Sequence, residues 1–394
     1  MKVVQINPYC GKGSTGKICQ SISERLVDNQ IENYILYTQY NSDYNLGINY
    51  GINKKYVYLQ SLISKIKGNN GFNNIKVTKN LINEIEKISP DIVHLHNLHA
   101  QNCNLEMLTT YLSKQDFKVC WTFHDCWLFT GYCMYYDMFR CEKWKTGCNG
   151  CKHRLKYSWF IDNANNNWQK KKNISDMLDC NIIAPSKWLA NEIKESIWKN
   201  HNIYVINNGI NLKVFNKKSN DLFTKYHSKN QFVILGVADL WDNRKGIDVF
   251  ISLSKYLSKK YKIVLVGTNH KVEKKLPANI DCIKHTHNQE ELAHLYSSAD
   301  VFVNPTRDEV FGMVNIESLA CGTPVVTFDT GGSPECIDEN TGIVVKKNDI
   351  DDLIDSIVRV CESNDFSAEK CIERAYHFDE NILYDEYIDL YKKL

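Results

Sequence analysis

The stretch "NPTRDEVFGMVNIESLACGTPVVT", residues 304–327, carries most of the information about how this chain folds. Short apolar runs at its two ends predict buried strands, and the segment from about Met313 predicts a helix between them. Gly312, just before that helix, predicts a turn. The order strand, turn, helix, strand is the repeating unit of a parallel α/β sheet.

The same stretch carries two carboxylates, Glu309 and Glu317, with seven residues between them. The helix predicted from Met313 presents unpaired N–H groups and the positive end of its dipole to an anion. We expect Glu309 beside that anion site and Glu317 about one turn into the helix. A nucleotide sugar offers matching partners, because its diphosphate suits the N–H groups and its vicinal hydroxyls suit the carboxylates.

The same alternation of predicted strands and helices continues through the whole chain. Helices are predicted over Gly16–Val27, through "NLINEIEKIS" and from Lys187. Strands are predicted at KVVQINP, NYILYT, DIVHLH, KVCWTFHD, CNIIAPS and IYVINNGIN in the first half, and at QFVILGVAD, KIVLVGT, IDCIKH, DVFVNP and TPVVTFD in the second. We therefore expect an α/β fold with two Rossmann-like, doubly wound parallel-sheet domains that face a central cleft.

The polar segment "NNGINLKVF", residues 207–215, predicts a hinge between these domains. The expected boundaries are an N-terminal domain over 1–206, a second domain over 207–375, and a C-terminal helix over 376–394 that packs back on the first domain. Since ligands bind at the carboxyl ends of parallel strands, each domain is expected to hold one substrate.

Composition excludes several other classes of protein. The chain has 48 basic and 46 acidic residues and a formal charge of +2, so no overall attraction to nucleic acid is expected. The start "MKVVQINP" lacks the features of a signal peptide, and no run approaches the ~20 apolar residues of a membrane span. The 15 cysteines then suggest free thiols in a reducing compartment. We expect a cytoplasmic protein, with peripheral contact at the inner face of the cell membrane as a candidate.

Ordered landmarks along the chain resemble those of the retaining glycosyltransferases of family 4 (group 1), which have the GT-B fold, and in particular a subset from capsular and exopolysaccharide biosynthesis. The landmarks are the hinge "NNGIN", Lys245–Gly246, the segment from Glu309 to Val326, Gly331–Gly332 followed by Glu335, and "TGIVV" from Thr341. The resemblance implies transfer of a sugar (EC 2.4 class) from a nucleotide-diphosphate donor to a saccharide or polyprenyl-diphosphate-linked acceptor. Retention is implied through a same-face mechanism in which the leaving phosphate accepts the proton of the acceptor.

The resemblance also implies roles for individual residues. Glu309 is expected to bind hydroxyls of the donor sugar, Glu317 the ribose hydroxyls, and Lys245 the leaving diphosphate. The backbone N–H groups of Phe311, Gly312, Met313 and Val314 are expected to hold sugar and phosphate, and His285 and Thr286 to lie near the base.

One position departs from the family pattern, and one absence bears on catalysis. The arginine that usually stands five residues before the lysine is replaced by Leu240, so Arg244 is expected to supply the second positive charge. No catalytic metal is expected, because the Asp-x-Asp triplet at 349–351 is better interpreted as a helix cap.

The glycine-rich segment "GKGSTGK", residues 11–17, has the spacing of a Walker phosphate loop, but Ile18 stands where a hydroxyl would hold Mg²⁺. The family instead places a glycine-rich loop here, at the cleft. Its expected donor or acceptor contacts are Gly13, Ser14, Thr15 and Gly16. Simple turn chemistry is the alternative.

Histidines follow two strands of the first half. The resemblance implies that His124 forms a hydrogen bond to the donor sugar or shields its anomeric carbon, with a buried, satisfied histidine as the alternative. His94, His96 and His99 are expected to line the cleft, because no carboxylate at suitable spacing supports a metal site.

An insert over about 126–160 is rich in cysteine, aromatic and basic residues. Cys133, Cys141, Cys148 and Cys151 have the spacing C-x7-C-x6-C-x2-C, which suggests a structural zinc; Cys126 could replace one ligand, and free thiols or support of an aromatic-rich loop are the alternatives. Its aromatic and basic residues suit contact with anionic lipid, although internal packing explains them equally well.

Two other functions remain open at this point. A GT-B-like nucleotide-sugar epimerase would share the donor site, and product analysis without acceptor would separate it from a transferase. A zinc-dependent nucleic-acid-binding protein would use the cysteines, but the near-neutral charge opposes it.

Overall fold

The computed structural model describes residues 1–219, 221–363 and 365–394, and contacts among them divide the chain into two compact units. Unit 1 comprises Met1–Asn207 and Leu383–Leu394, and unit 2 comprises Asn208–Ile382. Within the described residues, unit 1 contains a seven-stranded sheet and unit 2 a six-stranded sheet, and neighbouring strands in both are parallel. The predicted fold class, two doubly wound α/β domains, is confirmed in its two sheets.

The sheet of unit 1 has the strand order β3-β2-β1-β4-β5-β6-β7. Its strands are β1 (Lys2–Ile6), β2 (Glu32–Tyr37), β3 (Gly47–Asn49), β4 (Ile92–Leu95), β5 (Lys118–Thr122), β6 (Asn181–Ala184) and β7 (Asn202–Val205). Its helices are α1 (Gly13–Asp28), α2 (Lys54–Lys67), α3 (Ile75–Ile88), α4 (Leu105–Leu112), α5 (Arg154–Tyr157), α6 (Ala164–Met177) and α7 (Lys187–Lys194). Single 3-10 turns occur at Trp127–Phe129, Asp137–Phe139 and Lys143–Lys145.

Burial explains why the central strands of unit 1 are recognisable in the sequence. In β1 every residue from Val3 onward is buried, as expected for a parallel strand that is covered on both faces. Helix α1 packs against the sheet through Ile18, Ile22 and Leu26, the face that its periodicity predicts. This helix begins at Gly13, three residues earlier than predicted.

The sheet of unit 2 has the strand order β10-β9-β8-β11-β12-β13. Its strands are β8 (Phe232–Val237), β9 (Tyr261–Val266), β10 (Ile280–Ile283), β11 (Val301–Asn304), β12 (Val325–Phe328) and β13 (Gly342–Val345). Its helices are α8 (Thr224–His227), α9 (Ile247–Tyr256), α10 (His270–Glu273), α11 (Gln289–Ser297), α12 (Met313–Ala320), α13 (Ile350–Glu362) and α14 (Ala368–Tyr376), with a 3-10 turn at Ser333–Cys336. Asp349 caps α13 by accepting a hydrogen bond from the N–H of Asp352, which confirms the interpretation of the Asp-x-Asp triplet as a cap.

The last helix, α15 (Glu380–Lys393), contributes its residues from Leu383 onward to unit 1. Arg25 on α1 donates a forked pair of hydrogen bonds to Asp385, both 2.7 Å long. The buried hydroxyl of Tyr391 lies 2.6 Å from Nδ1 of His94 at the end of β4. Among the described residues, no helix is long and apolar enough to cross a membrane.

Candidate active site

A buried ion pair stands just before the N terminus of α12 in unit 2. Nζ of Lys245 donates a 2.6 Å hydrogen bond to Oε2 of Glu309, and the two side chains are only 19% and 16% exposed. Burial alone would raise the pKa of Glu309, but the charge and hydrogen bond of Lys245, with a smaller effect from Arg244, lower it. Arg244 also donates to the carbonyl of Asp308, 3.2 Å away. The structure thus brings together the three charged residues that were predicted to meet the sugar and diphosphate.

The backbone of Gly331 and Gly332 fixes the main chain of Glu309. Gly331 has φ +56°, and a Cβ built there would lie 1.6 Å from the carbonyl oxygen of Glu309. The next residue, Gly332, donates its N–H to that same oxygen at 3.2 Å. Only glycine permits this close approach, because a side chain would both collide with Glu309 and strain the left-handed backbone. The Gly331–Gly332 landmark therefore positions the main chain of Glu309.

Helix α12 begins at Met313, as predicted, after Gly312 with φ +93°. The first N–H groups of a helix lack intrahelical partners, so Met313 and Val314 present donors of the kind a phosphate requires. Asn315 anchors this turn, since its side chain accepts from Asn304 at 2.8 Å and donates to the carbonyl of Ser333 at 3.3 Å.

Glu317, in the middle of α12, is held by a residue that sequence reasoning missed. The hydroxyl of Tyr296 on α11 donates to Oε2 of Glu317 at 3.1 Å. Burial, together with the nearby carboxylate, raises the pKa of Tyr296 well above its ordinary value, so the phenol stays a donor. Tyr296 precedes Glu317 by 21 positions, and no local pattern marks the tyrosine. The packing of α11 against α12 is the information that would have identified Tyr296.

The remaining predicted donor contacts fall in different places. His285 is exposed after β10, beside His287, and Thr286 is half-buried, so their contact with a base stays a prediction. In unit 1, Gly13, Ser14, Thr15 and Gly16 form the first turn of α1 and not a loop before it. The predicted loop therefore ends at Lys12, because the left-handed Gly13 (φ +65°) already opens the helix. Their N–H groups stand at a helix N terminus, and their role toward a substrate remains untested.

Three histidines, linked by side-chain contacts, lie near the carboxyl ends of β1, β4 and β5. Nε2 of His124 lies 3.0 Å from Nδ1 of His96, whose Nε2 lies 3.2 Å from Oε1 of Gln5. His94 contacts Thr122 and Tyr391 in the same way. Burial lowers the pKa of His124 to about 4, so it is neutral near pH 7 and serves as a hydrogen-bonding group rather than a charge. Its role toward the donor sugar stays a prediction.

His99 and Asp125 form a second pair that sequence reasoning did not connect. Nε2 of His99 lies 2.8 Å from Oδ2 of Asp125, whose other oxygen accepts from the N–H of Trp127 at 2.8 Å. Burial alone would raise the pKa of Asp125, but the charge and hydrogen bond of His99 lower it. Both residues follow strand ends, which is the signal that could have found them.

The four cysteines proposed for zinc are reduced and partly exposed. Burial raises the pKa of the Cys133 thiol to about 12. The N–H of Gly131 donates to Sγ of Cys148 at 3.2 Å. Within the described residues, however, no three His, Cys, Asp or Glu side chains are grouped so that they could hold a metal ion. Zinc stays a prediction.

Comparison with known proteins agrees with the geometry. Residues 17–214 match the model of Glycosyltransferase Family 4, and residues 231–363 match that of Glycosyl transferases group 1. The glycosyl transferase of Escherichia coli (strain K12) that is named for colanic acid biosynthesis, WcaC, is 24% identical over 319 residues, 77% of each chain. The N,N'-diacetylbacillosaminyl-diphospho-undecaprenol alpha-1,3-N-acetylgalactosaminyltransferase of Campylobacter jejuni is 28% identical over 211 residues, 50% of this chain and 56% of its own.

Solved structures share the fold. The structure of HepE from Anabaena, in complex with UDP and glucose, superposes with a TM-score of 0.65 at 13% identity and covers 100% of both chains. The family models therefore cover both units, the one that contains the seven-stranded sheet and the one that contains the six-stranded sheet and the Lys245–Glu309 ion pair. This protein belongs to Glycosyltransferase Family 4 and is a nucleotide-sugar glycosyltransferase with the GT-B fold.

Proposed function

We propose that this enzyme transfers a sugar from a nucleoside-diphosphate donor, with retention of anomeric configuration, to a lipid-linked saccharide in surface polysaccharide synthesis. The observation that carries the donor half is the cluster of Lys245, Arg244 and Glu309 at the N terminus of α12, with Glu317 further along the same helix. Two fixed cations and a helix N terminus can stabilise the charge that develops on a departing diphosphate without a metal ion.

Each group in this cluster has a chemical task in the proposal. Lys245 and Arg244 neutralise the leaving group, and the N–H groups of Met313 and Val314 bind phosphate oxygens. Glu309 accepts hydrogen bonds from sugar hydroxyls. Because its carboxylate is already paired with Lys245, it is a poor nucleophile, which agrees with a same-face mechanism over a covalent one.

The donor site is tested by thermal-shift measurements with a panel of nucleotide sugars that begins with UDP-glucose. UDP with glucose is the pair bound by the structural relative HepE. We expect one donor family to raise the melting temperature of the wild type, and Glu317→Ala to abolish that shift. Glu373→Ala, at an exposed carboxylate on α14, is the matched control and should keep the shift. A panel without any shift, or an unchanged shift in Glu317→Ala, would refute the assignment.

Retention rests on the family, and the lipid-linked acceptor rests on its Campylobacter relative, whose name contains a diphospho-undecaprenol acceptor. The anomeric coupling constant of the product, measured by NMR, tests retention. An inverted product would contradict the proposal.

Peripheral contact with an anionic membrane is supported by one surface of unit 1. Tyr58 and Leu59 on α2, and Leu155, Trp159 and Phe160 in the insert, are 44–74% exposed, and the N–H of Trp159 donates to the carbonyl of Lys65. Lysines and an arginine accompany them at Lys54, Lys55, Lys65, Lys67, Lys152, Arg154 and Lys156. Such a mixture favours anionic lipid.

Cosedimentation with phosphatidylglycerol vesicles should therefore exceed that with phosphatidylcholine vesicles. Phe160→Ser with Leu155→Ser should reduce it, while Tyr256→Ser, at an exposed tyrosine of unit 2, should not. Equal binding to the two lipids would exclude the electrostatic part of this surface.

The structural zinc is proposed from the spacing of the four cysteines along the sequence and their C-x2-C pair. Protein purified without chelator should contain about one zinc per chain by mass spectrometry of its metals. Cys148→Ser should lose it and Cys282→Ser should keep it. Wild-type protein free of zinc would leave these residues as plain thiols.

A further inference from the structure

Two neighbouring loops of unit 2 carry the charged residues of the candidate active site. Strands β8 and β11 are paired in parallel, so the loops that follow them leave the same edge of the sheet. The loop over 238–246, between β8 and α9, carries Lys245, and the loop over 305–312, between β11 and α12, carries Glu309. The contact between Lys245 and Glu309 therefore depends on how two separate loops are held together.

Arg307 joins these two loops. Its Nη1 donates to the carbonyl of Asn243 and to Oδ1 of Asp248, and its Nη2 donates to Oδ2 of Asp248; both bonds to the carboxylate are 2.7 Å long. Its main-chain N–H donates to the carbonyl of Arg244 at 2.8 Å. One arginine is thus bonded to the chain on both sides of Lys245.

The side chain of Arg307 is held firmly. Its Nε donates to Oδ1 of Asn348 at 2.6 Å, and it is only 14% exposed. Burial alone would raise the pKa of Asp248, but the hydrogen bond and charge of Arg307 lower it. All three guanidinium nitrogens are engaged, and a lysine cannot reproduce this pattern because its ammonium is a single point of donation.

The two loops also approach each other through their main chains. Gly246 has φ +75°, and a Cβ built there would lie 2.5 Å from the carbonyl oxygen of Pro305. A side chain at this position would collide with the neighbouring loop and strain the left-handed backbone. Arg307 therefore closes a junction at which the loops are already packed tightly.

We propose that Arg307 is a positioning residue of the donor site, which holds Lys245 where the diphosphate of the donor binds. Its own nitrogens stay bonded to protein, and it acts on the donor through Lys245. This inference rests on the proposed role of Lys245 toward the diphosphate, but the fixation of the loop is measurable without any ligand. A purely structural arginine would affect all ligands of unit 2 alike, whereas this one affects diphosphate binding in particular.

The test compares the binding of UDP and of uridine, the same nucleoside without phosphates, to the full-length protein. UDP is bound by the structural relative HepE, and GDP with guanosine is measured in parallel. Arg307→Lys keeps the positive charge and removes only the fork, so a loss of affinity cannot come from net charge. We expect about tenfold weaker UDP binding by calorimetric titration, and less than about twofold weaker uridine binding by saturation-transfer NMR.

A double-variant cycle tests whether Arg307 acts through Lys245. In a Lys245→Met background, Arg307→Lys should cause less than about twofold further loss of UDP affinity, because the residue through which it acts is gone. Asp248→Asn weakens the ion pair from the other side and should act in the same direction as Arg307→Lys. It also keeps the test decisive if Arg307→Lys folds poorly.

Arg359→Lys on α13 is the matched control and should bind UDP like the wild type. Arg359 pairs with Asp365 at the surface of the same unit, where its side chain is 62% exposed. Equal UDP affinity in wild type and Arg307→Lys would overturn the inference. So would an equal loss of UDP and uridine binding, or a tenfold loss that persists in the Lys245→Met background.

Hydrogen exchange of the free proteins separates this inference from the donor assignment. The amides of 243–248 should exchange about tenfold faster in Arg307→Lys than in the wild type or Arg359→Lys. If no nucleoside diphosphate binds the wild type but exchange follows the variants, the donor assignment fails and the fixation of Lys245 by Arg307 stands. Unchanged exchange in Arg307→Lys would overturn that fixation.

Discussion

The burial of the Lys245–Glu309 pair leads to two predictions about the free energy of unfolding. Each ion has lost most of its water, so each depends on the other for compensation, and removal of one partner should cost more than removal of both. We expect Lys245→Met to lower the free energy of unfolding by about 1–3 kcal/mol, and Lys245→Met with Glu309→Gln to recover most of that loss. Urea denaturation of the single and double variants measures the coupling.

The exposed pair of Lys260 with Glu362, also in unit 2, offers the matched comparison. Its double-variant cycle, Lys260→Met with Glu362→Gln, should show almost no coupling because water screens both charges. The contribution of the Lys245–Glu309 pair to the free energy of unfolding also depends on pH. The wild-type pair lowers the pKa of Glu309, so its contribution is present above the ordinary carboxyl pKa of 4.5 and is lost as pH falls through the lowered value. Equal coupling in the two pairs would refute the idea that burial matters here.

Gly331 supports Glu309 through the backbone, and its replacement should therefore affect both stability and donor binding. Gly331→Ala must relieve a contact with the carbonyl oxygen of Glu309, in addition to about 1–2 kcal/mol for a left-handed backbone. We expect a lower melting temperature and a weaker thermal shift with the donor.

Gly13→Ala separates these two costs. Gly13 has a similar φ of +65°, but a Cβ there would have nothing within 4 Å. Its loss of stability should be limited to the backbone term. If Gly331→Ala destabilises no more than Gly13→Ala, the contact with Glu309 is unimportant.

Helix α7 contacts the cysteine-rich insert through a carboxylate that titrates near neutrality. Tyr136 donates a hydrogen bond to Glu192, and burial with the charge of Glu195 raises the pKa of Glu192 to about 7. The folded protein therefore holds a proton that the unfolded chain releases between pH 4.5 and about 7, and stability falls as pH rises through that window. We expect Glu192→Gln to remove about 1 kcal/mol of this dependence, after allowance for solvent screening.

Denaturant unfolding at pH 5 and pH 7.5 checks this prediction. The wild type should lose more stability than Glu192→Gln between the two values. Glu195→Gln is the informative comparison, since removal of the neighbouring charge should lower the pKa of Glu192 and shrink the same window. A parallel decrease in wild type and Glu192→Gln would contradict the titration.

The sequence shows the central elements well and the peripheral ones poorly, for physical reasons. Strands such as β8 and β11 are buried runs of β-branched and aromatic residues, so their pattern is visible locally. By contrast, α2 buries only Ser64 and has no clear apolar face, and β3 spans only Gly47–Asn49 at the edge of its sheet. Neither has a periodicity from which it could be predicted.

The candidate site divides in the same way. The residues of α12 and the carboxylates around it lie in one continuous motif, so sequence reveals them. Partners that the fold supplies from elsewhere are invisible: Tyr296 for Glu317, and Asp125 for His99. Sequence analysis therefore identified the residues that lie in motifs, including Lys245 and Arg244, but not the partners that only the fold brings to them.

Unit 1 is built from two separate parts of the chain, and its stability should depend on the second. Residues 383–394 bury Leu383, Tyr384, Tyr387, Ile388, Leu390 and Tyr391. At about 1.5–3 kcal/mol for each large apolar side chain, their loss approaches the whole stability of a domain. We expect deletion of 383–394 to abolish the calorimetric transition of unit 1 and to leave that of unit 2.

Deletion of 392–394 alone removes two exposed lysines and a half-buried leucine, and should leave both transitions intact. Two normal transitions in the longer deletion would show that unit 1 folds without its C-terminal segment.

The return of α15 to unit 1 also has a consequence for biosynthesis. A ribosome delivers the amino end first, so the strands of unit 1 emerge early and leave the surface around His94 uncovered until residues 383–394 have been synthesised. Unit 2 is continuous and can complete its folding in the meantime. A nascent chain stalled before residue 383 would therefore carry a folded unit 2 attached to an incomplete unit 1.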